Sequence, residues 1–146
     1  MDWKYLGNKL NEAPIGFIGF IYRIKFDDGT SYIGKKNFFS HRKRKFGKKE
    51  LALITDKRLK KYEIVTKESD WRTYASSNPT VKEKIRNDEG YEKEIICFAR
   101  TKKHLTYLEE YELYKRWVLA DDSYLNDNIA GRFFTKDVKE WESKRS

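Results

Sequence analysis

The sequence has a single cysteine, two prolines and two histidines among its 146 residues. One cysteine excludes an internal disulfide, and Cys97 with His41 and His104 is too few for a Cys/His zinc site of the usual kind. Long apolar runs are missing as well. The longest, around residues 15–22, is about eight residues, against the ~20 needed to span a bilayer. The opening MDWKYLGNKLNEAP lacks the charged-then-apolar order of a secretion signal. These absences set the expectation of a soluble protein of a reducing compartment, the cytoplasm, with no membrane partner. No internal repeat and no low-complexity linker interrupts the chain, so one domain over 1–146 is expected, with a basic insertion at about 35–77.

Charged residues are abundant at 38%, and aromatic residues reach 16%, with ten Tyr, nine Phe and four Trp. Disordered chains lack such aromatics, so a packed core is expected. The net charge of +9 is not spread evenly: residues 35–61 hold 12 Lys/Arg against 2 acids, and the remainder 20 against 21. A patch of one sign on an otherwise balanced surface suits a polyanion, which makes nucleic acid the expected partner. A lysine-rich loop or helix face kept soluble by its charge is the alternative reading of that run.

Period-two alternation of Ile18, Phe20, Tyr22, Ile24 and Phe26 predicts a strand, Asp27-Asp28-Gly29 a turn, and residues 30–34 a second strand. A third strand is expected at 92–100. Helices are expected at 50–54, at 80–87 behind an Asn78-Pro79 start, at 102–118 and at 135–143. The fold class is then α/β (α+β), a three-stranded antiparallel sheet flanked by helices.

The hairpin carries Phe20-Ile21-Tyr22 and Tyr32-Ile33-Gly34. With GFIY, SYIGKK, ESDWRTY, Ser76-Ser77 and LTYLEE in that order, residues 16–130 resemble the GIY-YIG nuclease family, in particular its small phage-encoded members. The first motif departs from the family pattern, since Phe20 stands where the family has glycine and Gly19 lies one position earlier. Side chains alternate faces, so a two-residue turn at Asp28-Gly29 would put Tyr22 and Tyr32 on opposite faces. A three-residue turn with Gly29 left-handed pairs Tyr22 with Gly34 and Tyr32 with Ile24, and both tyrosines then share a face.

The resemblance implies a metal-dependent DNA endonuclease that hydrolyses phosphodiester bonds. By that resemblance Tyr22 or Tyr32 would orient or deprotonate the attacking water. Arg42, eight positions after Gly34, would stabilise the developing charge, with Arg44 as the neighbour able to substitute. Lys36 is placed to touch phosphate. Glu109, or else Glu110, would hold a single divalent ion, Mg²⁺ or another such as Mn²⁺, largely coordinated by water. Asn126, or else Asn128, matches the family's closing Tyr-Asn-Ile segment. Candidate DNA contacts are Lys35, His41, Lys43, Arg44 and Lys45, together with Ser76 and Ser77 ahead of a helix start. Thr106 and Glu109 also fit a capping box, which would explain Glu109 structurally unless the helix begins near Thr101. Family members that home to DNA sites carry a separate DNA-reading domain. Here specificity would fall to the insertion or to a possible homodimer. The rival readings are a non-catalytic basic nucleic-acid-binding module, with Phe38, Phe39 and Trp71 as stacking surfaces, and a basic structural protein of a ribonucleoprotein or capsid.

Overall fold

A computed structural model describes the chain through residue 145, with side chains through residue 141. Its elements are β1 (Trp3–Tyr5), β2 (Asn8–Lys9), β3 (Gly19–Phe26), β4 (Ser31–Asn37), β5 (Phe39–Lys45), α1 (Lys48–Ala52), β6 (Tyr62–Glu68), α2 (Pro79–Arg86), β7 (Tyr91–Ala99), α3 (Lys102–Lys115), β8 (Asn128–Ile129), β9 (Phe133–Phe134) and α4 (Thr135–Arg145). The chain forms two compact units: Met1–Phe38 with the chain from Asp70 onward, and Phe39–Ser69.

The mixed α/β class is as expected, but the main sheet has five strands in the order β2-β1-β7-β3-β4, not three. The two extra strands come from the N-terminus. β1 runs parallel to β7 and turns into β2 through Leu6 and Gly7, both at positive φ. Three residues show too little alternation to register as a strand. Tertiary packing supplies what propensity does not. Trp3 is 1% exposed, its indole N–H donates to the Trp71 carbonyl at 2.6 Å, and its ring meets Phe20 and Tyr22 at 5.1 and 5.0 Å.

The central hairpin has the register that the three-residue turn requires, with Tyr22 opposite Gly34 and Ile24 opposite Tyr32. Gly29 takes φ +91°, a conformation that costs a side-chain-bearing residue strain. Alternation then divides the sheet. Ile21 and Ile33 face α3, in a core with Ala99, Leu105, Leu113, Val118 and Leu119. Phe20 and Tyr22 face the other way, among Trp3, Phe38, Trp71 and Tyr74. Gly34 is glycine for want of space: a Cβ there would lie 2.4 Å from the Tyr22 hydroxyl and 2.6 Å from its Cζ.

β4 is the outer strand of the sheet, and its unpaired edge is covered in sequence. The Ser31 N–H donates to the Ser123 carbonyl at 2.8 Å, and the Leu125 N–H to the Ser31 carbonyl at 2.7 Å. One step further along, the Asn126 carboxamide stands in for a peptide group. Its Nδ2 donates to the Ile33 carbonyl at 2.8 Å, and its Oδ1 accepts from the Ile33 N–H at 3.1 Å.

The starts of α2 and α3 are capped as the sequence suggests. Asn78 accepts from the N–H groups of Thr80 and Val81 ahead of Pro79, and Thr101 accepts from that of His104. Helix α3 ends at Lys115 rather than at 118, and α1 begins at Lys48 rather than at 50. The larger difference is in the basic stretch, where besides α1 the chain forms an antiparallel ribbon of β5 and β6 in place of the unassigned segment around it. Charged side chains occupy both faces of this ribbon, so period-two alternation of polarity is absent and the strands leave no trace in hydropathy. Arg44 fastens the unit, bonding both Glu50 of α1 and Glu63 of β6.

Gly34→Ala is expected to overpack the sheet beneath Tyr22 and to lower stability by about 1–3 kcal/mol. Urea denaturation checks this, and a variant as stable as the parent would show that the Tyr22 ring moves aside at no cost.

Candidate active site

Tyr22 and Tyr32 stand on one sheet face with ring centroids 6.3 Å apart, and the Tyr74 ring lies 6.1 Å from that of Tyr22. Tyr22 is 2% exposed. Burial, and then the neighbouring Tyr74, push its hydroxyl far above the usual phenol range, so it stays protonated at any working pH. Burial also raises Tyr32, to which the nearby Glu109 charge adds. Lys36 shares this face, 4.0 Å above the Tyr74 ring and 2.6 Å from Asp70. That hydrogen bond holds the Asp70 carboxyl below its ordinary range.

The loop from Asp70 to Asn78 roofs the tyrosines and is itself pinned from below. Lys93 of β7 is 2% exposed, donates to the Tyr74 carbonyl at 2.8 Å and lies 4.4 Å from the Trp3 ring. Burial pushes its ammonium down to about 8. Ser76 is buried too, at φ +87°, and its hydroxyl accepts from the Asn78 N–H at 3.0 Å. Its side chain stands near both the Tyr22 and the Tyr32 phenols and offsets part of the rise that burial imposes on them.

Beside the edge of β4 lies a polar cleft of about 210 Å³ that brings together Tyr32, Glu109, Asn126, Asn78, Asp127 and Asn128. Glu109 comes from α3, beneath the sheet, while Tyr32 comes from the opposite face. They meet because β4 is the outermost strand. With Thr101 as the N-cap of α3, Glu109 sits mid-helix and has no capping role. Its carboxylate stands beside Lys35, whose ammonium is 4.0 Å away and donates to the Thr106 hydroxyl at 3.0 Å. Burial outweighs that attraction, so the Glu109 carboxyl is raised above its usual value. The ionised form is thus short of positive charge where it stands.

Tyr22, Tyr32, Lys36, Ser76 and, across the edge of β4, Glu109, Lys35 and Asn126 all belong to the first unit. Ser77 is exposed beside Ser76. Glu110 forms an ion pair with Arg132 at 3.6 Å, and Asn128 bonds Asp127 and the Gly131 N–H. His41, Arg42, Lys43, Arg44 and Lys45 belong to the second unit, on β5. There Arg42 is exposed, without an ion pair among the described residues, whereas Arg44 is tied to two carboxylates. Tyr74, Asp70 and Lys93 were not singled out as site residues from sequence. Their partners lie far along the chain, and no spacing announces them.

A family profile described as "Putative endonuclease segE, GIY-YIG domain" matches residues 3–129. The chain belongs to the GIY-YIG endonuclease family. No curated protein and no solved structure gave a match. For a GIY-YIG domain the departure in the first motif has a local cause. Phe20 is fully buried against Trp3 and Phe38, while a Cβ on Gly19 would lie 2.6 Å from the Lys36 carbonyl. Membership makes nucleic acid the substrate. No helix among the described residues is long and apolar enough to cross a membrane.

Among the described residues no cluster of three or more His, Cys, Asp or Glu could enclose a metal ion. The cleft instead offers one undercompensated carboxylate, a second at Asp127 and amide oxygens. That donor set fits a hard, oxygen-seeking ion that keeps most of its water, and does not fit a softer ion needing nitrogen or sulfur.

Asn126→Leu keeps the bulk of the side chain but leaves the Ile33 N–H and carbonyl without partners. A loss of about 1–3 kcal/mol in urea unfolding is expected. Unchanged stability would mean that the edge of β4 does not depend on this carboxamide.

Proposed function

We propose that the chain is a metal-dependent DNA endonuclease whose reaction centre is the cleft at the edge of β4. The observation that supports this best is the convergence of Tyr32 and Glu109 there, from opposite faces of one sheet. Tyr32 borders the cleft and holds the attacking water by its hydroxyl, with Ser76 fixing the orientation of the phenol. Tyr22, kept neutral by burial, donates a hydrogen bond within the cluster and supports Tyr32. Lys36 lends positive charge to the same face. Asn126 positions β4 and thereby the residues on either side of it.

Glu109 would hold the divalent ion, Mg²⁺ by the chemistry of its donors. When bound, such an ion supplies charge stabilisation to a phosphodiester under attack. A phage or mobile-element origin, and action in the cytoplasm of a bacterial host, follow from the resemblance in the motifs alone.

Glu109→Gln preserves shape and removes the charge. Mg²⁺-dependent cleavage of plasmid DNA is expected to fall about a thousandfold, equivalent to ~4 kcal/mol of transition-state stabilisation. DNA affinity should hold or rise, since a negative charge facing phosphate is gone. Normal cleavage by the folded variant would move the assignment away from Glu109.

The same variant has an expected signature without metal. The folded pKa of Glu109 lies above its unfolded value, so its stabilising contribution is complete in acid, below the unfolded value. That contribution is lost as pH rises through the folded one. In EDTA, Glu109→Gln should therefore raise Tm at pH 7 and change it little at pH 4. Equal shifts at both pH values would show that burial does not penalise the carboxylate.

A further inference from the structure

Residues Phe39–Ser69 hold 11 Lys/Arg and 4 acids, a net +7 in 31 residues. Within the unit Arg44 engages Glu50 and Glu63, and Arg58 engages Asp56. The excess charge therefore faces outward. Strand alternation sorts the ribbon into two unlike faces. Arg42 and Arg44 share one face with Glu63 and Val65, and Arg44 links that face to α1. On the other, His41, Lys43 and Lys45 stand in a row on β5, opposite Thr66, Ile64 and Tyr62 of β6.

This second face is not merely a charged one. Ile64 is 55% exposed in its middle, flanked by the His41–Thr66 pair at 3.0 Å and by Lys43 lying 4.6 Å from the Tyr62 ring. A β-branched residue suits a strand, and here it stands exposed between Tyr62 and Thr66, two groups able to hydrogen-bond. Cations, a hydroxyl, an imidazole and an apolar patch on one flat strip match the edges of base pairs, which present acceptors, donors and the thymine methyl.

The dimensions agree. Two strands about 4.8 Å apart, with side chains standing off them, fill a groove about 12 Å wide and cannot enter one about 6 Å wide. Seven residues at about 3.4 Å each extend over about six base pairs. We infer that the β5–β6 ribbon reads duplex DNA in the major groove. The His41, Lys43, Ile64 and Thr66 face meets base edges, while Lys48 and Lys49 of α1 contact backbone phosphate. The inference rests on the nuclease reading for its choice of DNA, and it assigns to this ribbon the sequence selectivity of that reaction.

Dimethyl sulfate interference on the full chain, with binding measured in EDTA, tests it, because the reagent marks guanine N7 in the major groove and adenine N3 in the minor groove. N7 methylation within one tract of about six base pairs should weaken binding tenfold or more, and N3 methylation should not. Ile64→Ala and Thr66→Ala alter no charge, so they should change the preferred bases about fivefold or more at an unchanged salt slope. Lys48→Gln with Lys49→Gln should weaken all sequences alike and flatten the slope of log affinity against log salt by about two. Interference confined to adenine N3, or none at bases, would overturn the ribbon's role, as would Ile64 and Thr66 variants with the parent's preferences. Circular dichroism confirms that these exposed substitutions leave the fold in place. Binding without any cleavage would overturn the nuclease reading and leave the ribbon inference standing. Cleavage with no N7 interference would do the reverse.

Discussion

The register of the β3–β4 hairpin is the constraint on which the rest of the first unit depends. A three-residue turn, permitted by the left-handed Gly29, sets Tyr22 against Gly34. From that pairing follow the shared face of Tyr22 and Tyr32, the missing side chain at 34, and the outward direction of the backbone groups of Ser31, Ile33 and Lys35. Ser31 is met by a backbone segment and Ile33 by the Asn126 carboxamide, and the Glu109 carboxylate stands next along beside Lys35. A slip of one residue would turn each of these groups to the wrong side. The turn therefore sets two faces and one edge at once.

Desolvation is the second theme. Burial raises both tyrosines and Glu109, and it lowers Lys93. In each case the charged form is disfavoured, and the molecule compensates differently. Tyr22 remains neutral. Lys93 donates to the Tyr74 carbonyl and rests against the Trp3 ring, so its cost is partly returned in holding the loop above the tyrosines. Glu109 has the Lys35 ammonium at 4.0 Å, which offsets only part of its burial.

Much of this was legible beforehand, and the reasons are local. The hairpin, its odd-length turn and the Asn78-Pro79 helix start rest on residues adjacent in sequence, where turn chemistry and capping act. The family motifs lie on that same hairpin. What escaped notice depended on distance along the chain. β1 becomes a strand only through its parallel contact with β7, some ninety residues on. Lys36 finds Asp70, and Lys93 finds the Tyr74 carbonyl, without any repeat or spacing to reveal it. The β5–β6 ribbon was hidden for another reason. Its strands bury almost nothing, and a pattern built on burial has nothing to detect there.

Phe38 and Trp71 close the aromatic face from the two points where the chain leaves for the second unit and returns from it. Both are fully buried, with rings 5.1 Å apart and nearly perpendicular. The ends of the intervening segment are thus clasped by the first unit's own packing. Because loop closure grows only slowly costlier with length, such a segment can be lengthened, shortened or exchanged with little effect on the unit that holds it. Phe38 and Trp71 make a socket, into which evolution or design can plug a different segment while the sheet behind it stays as it is.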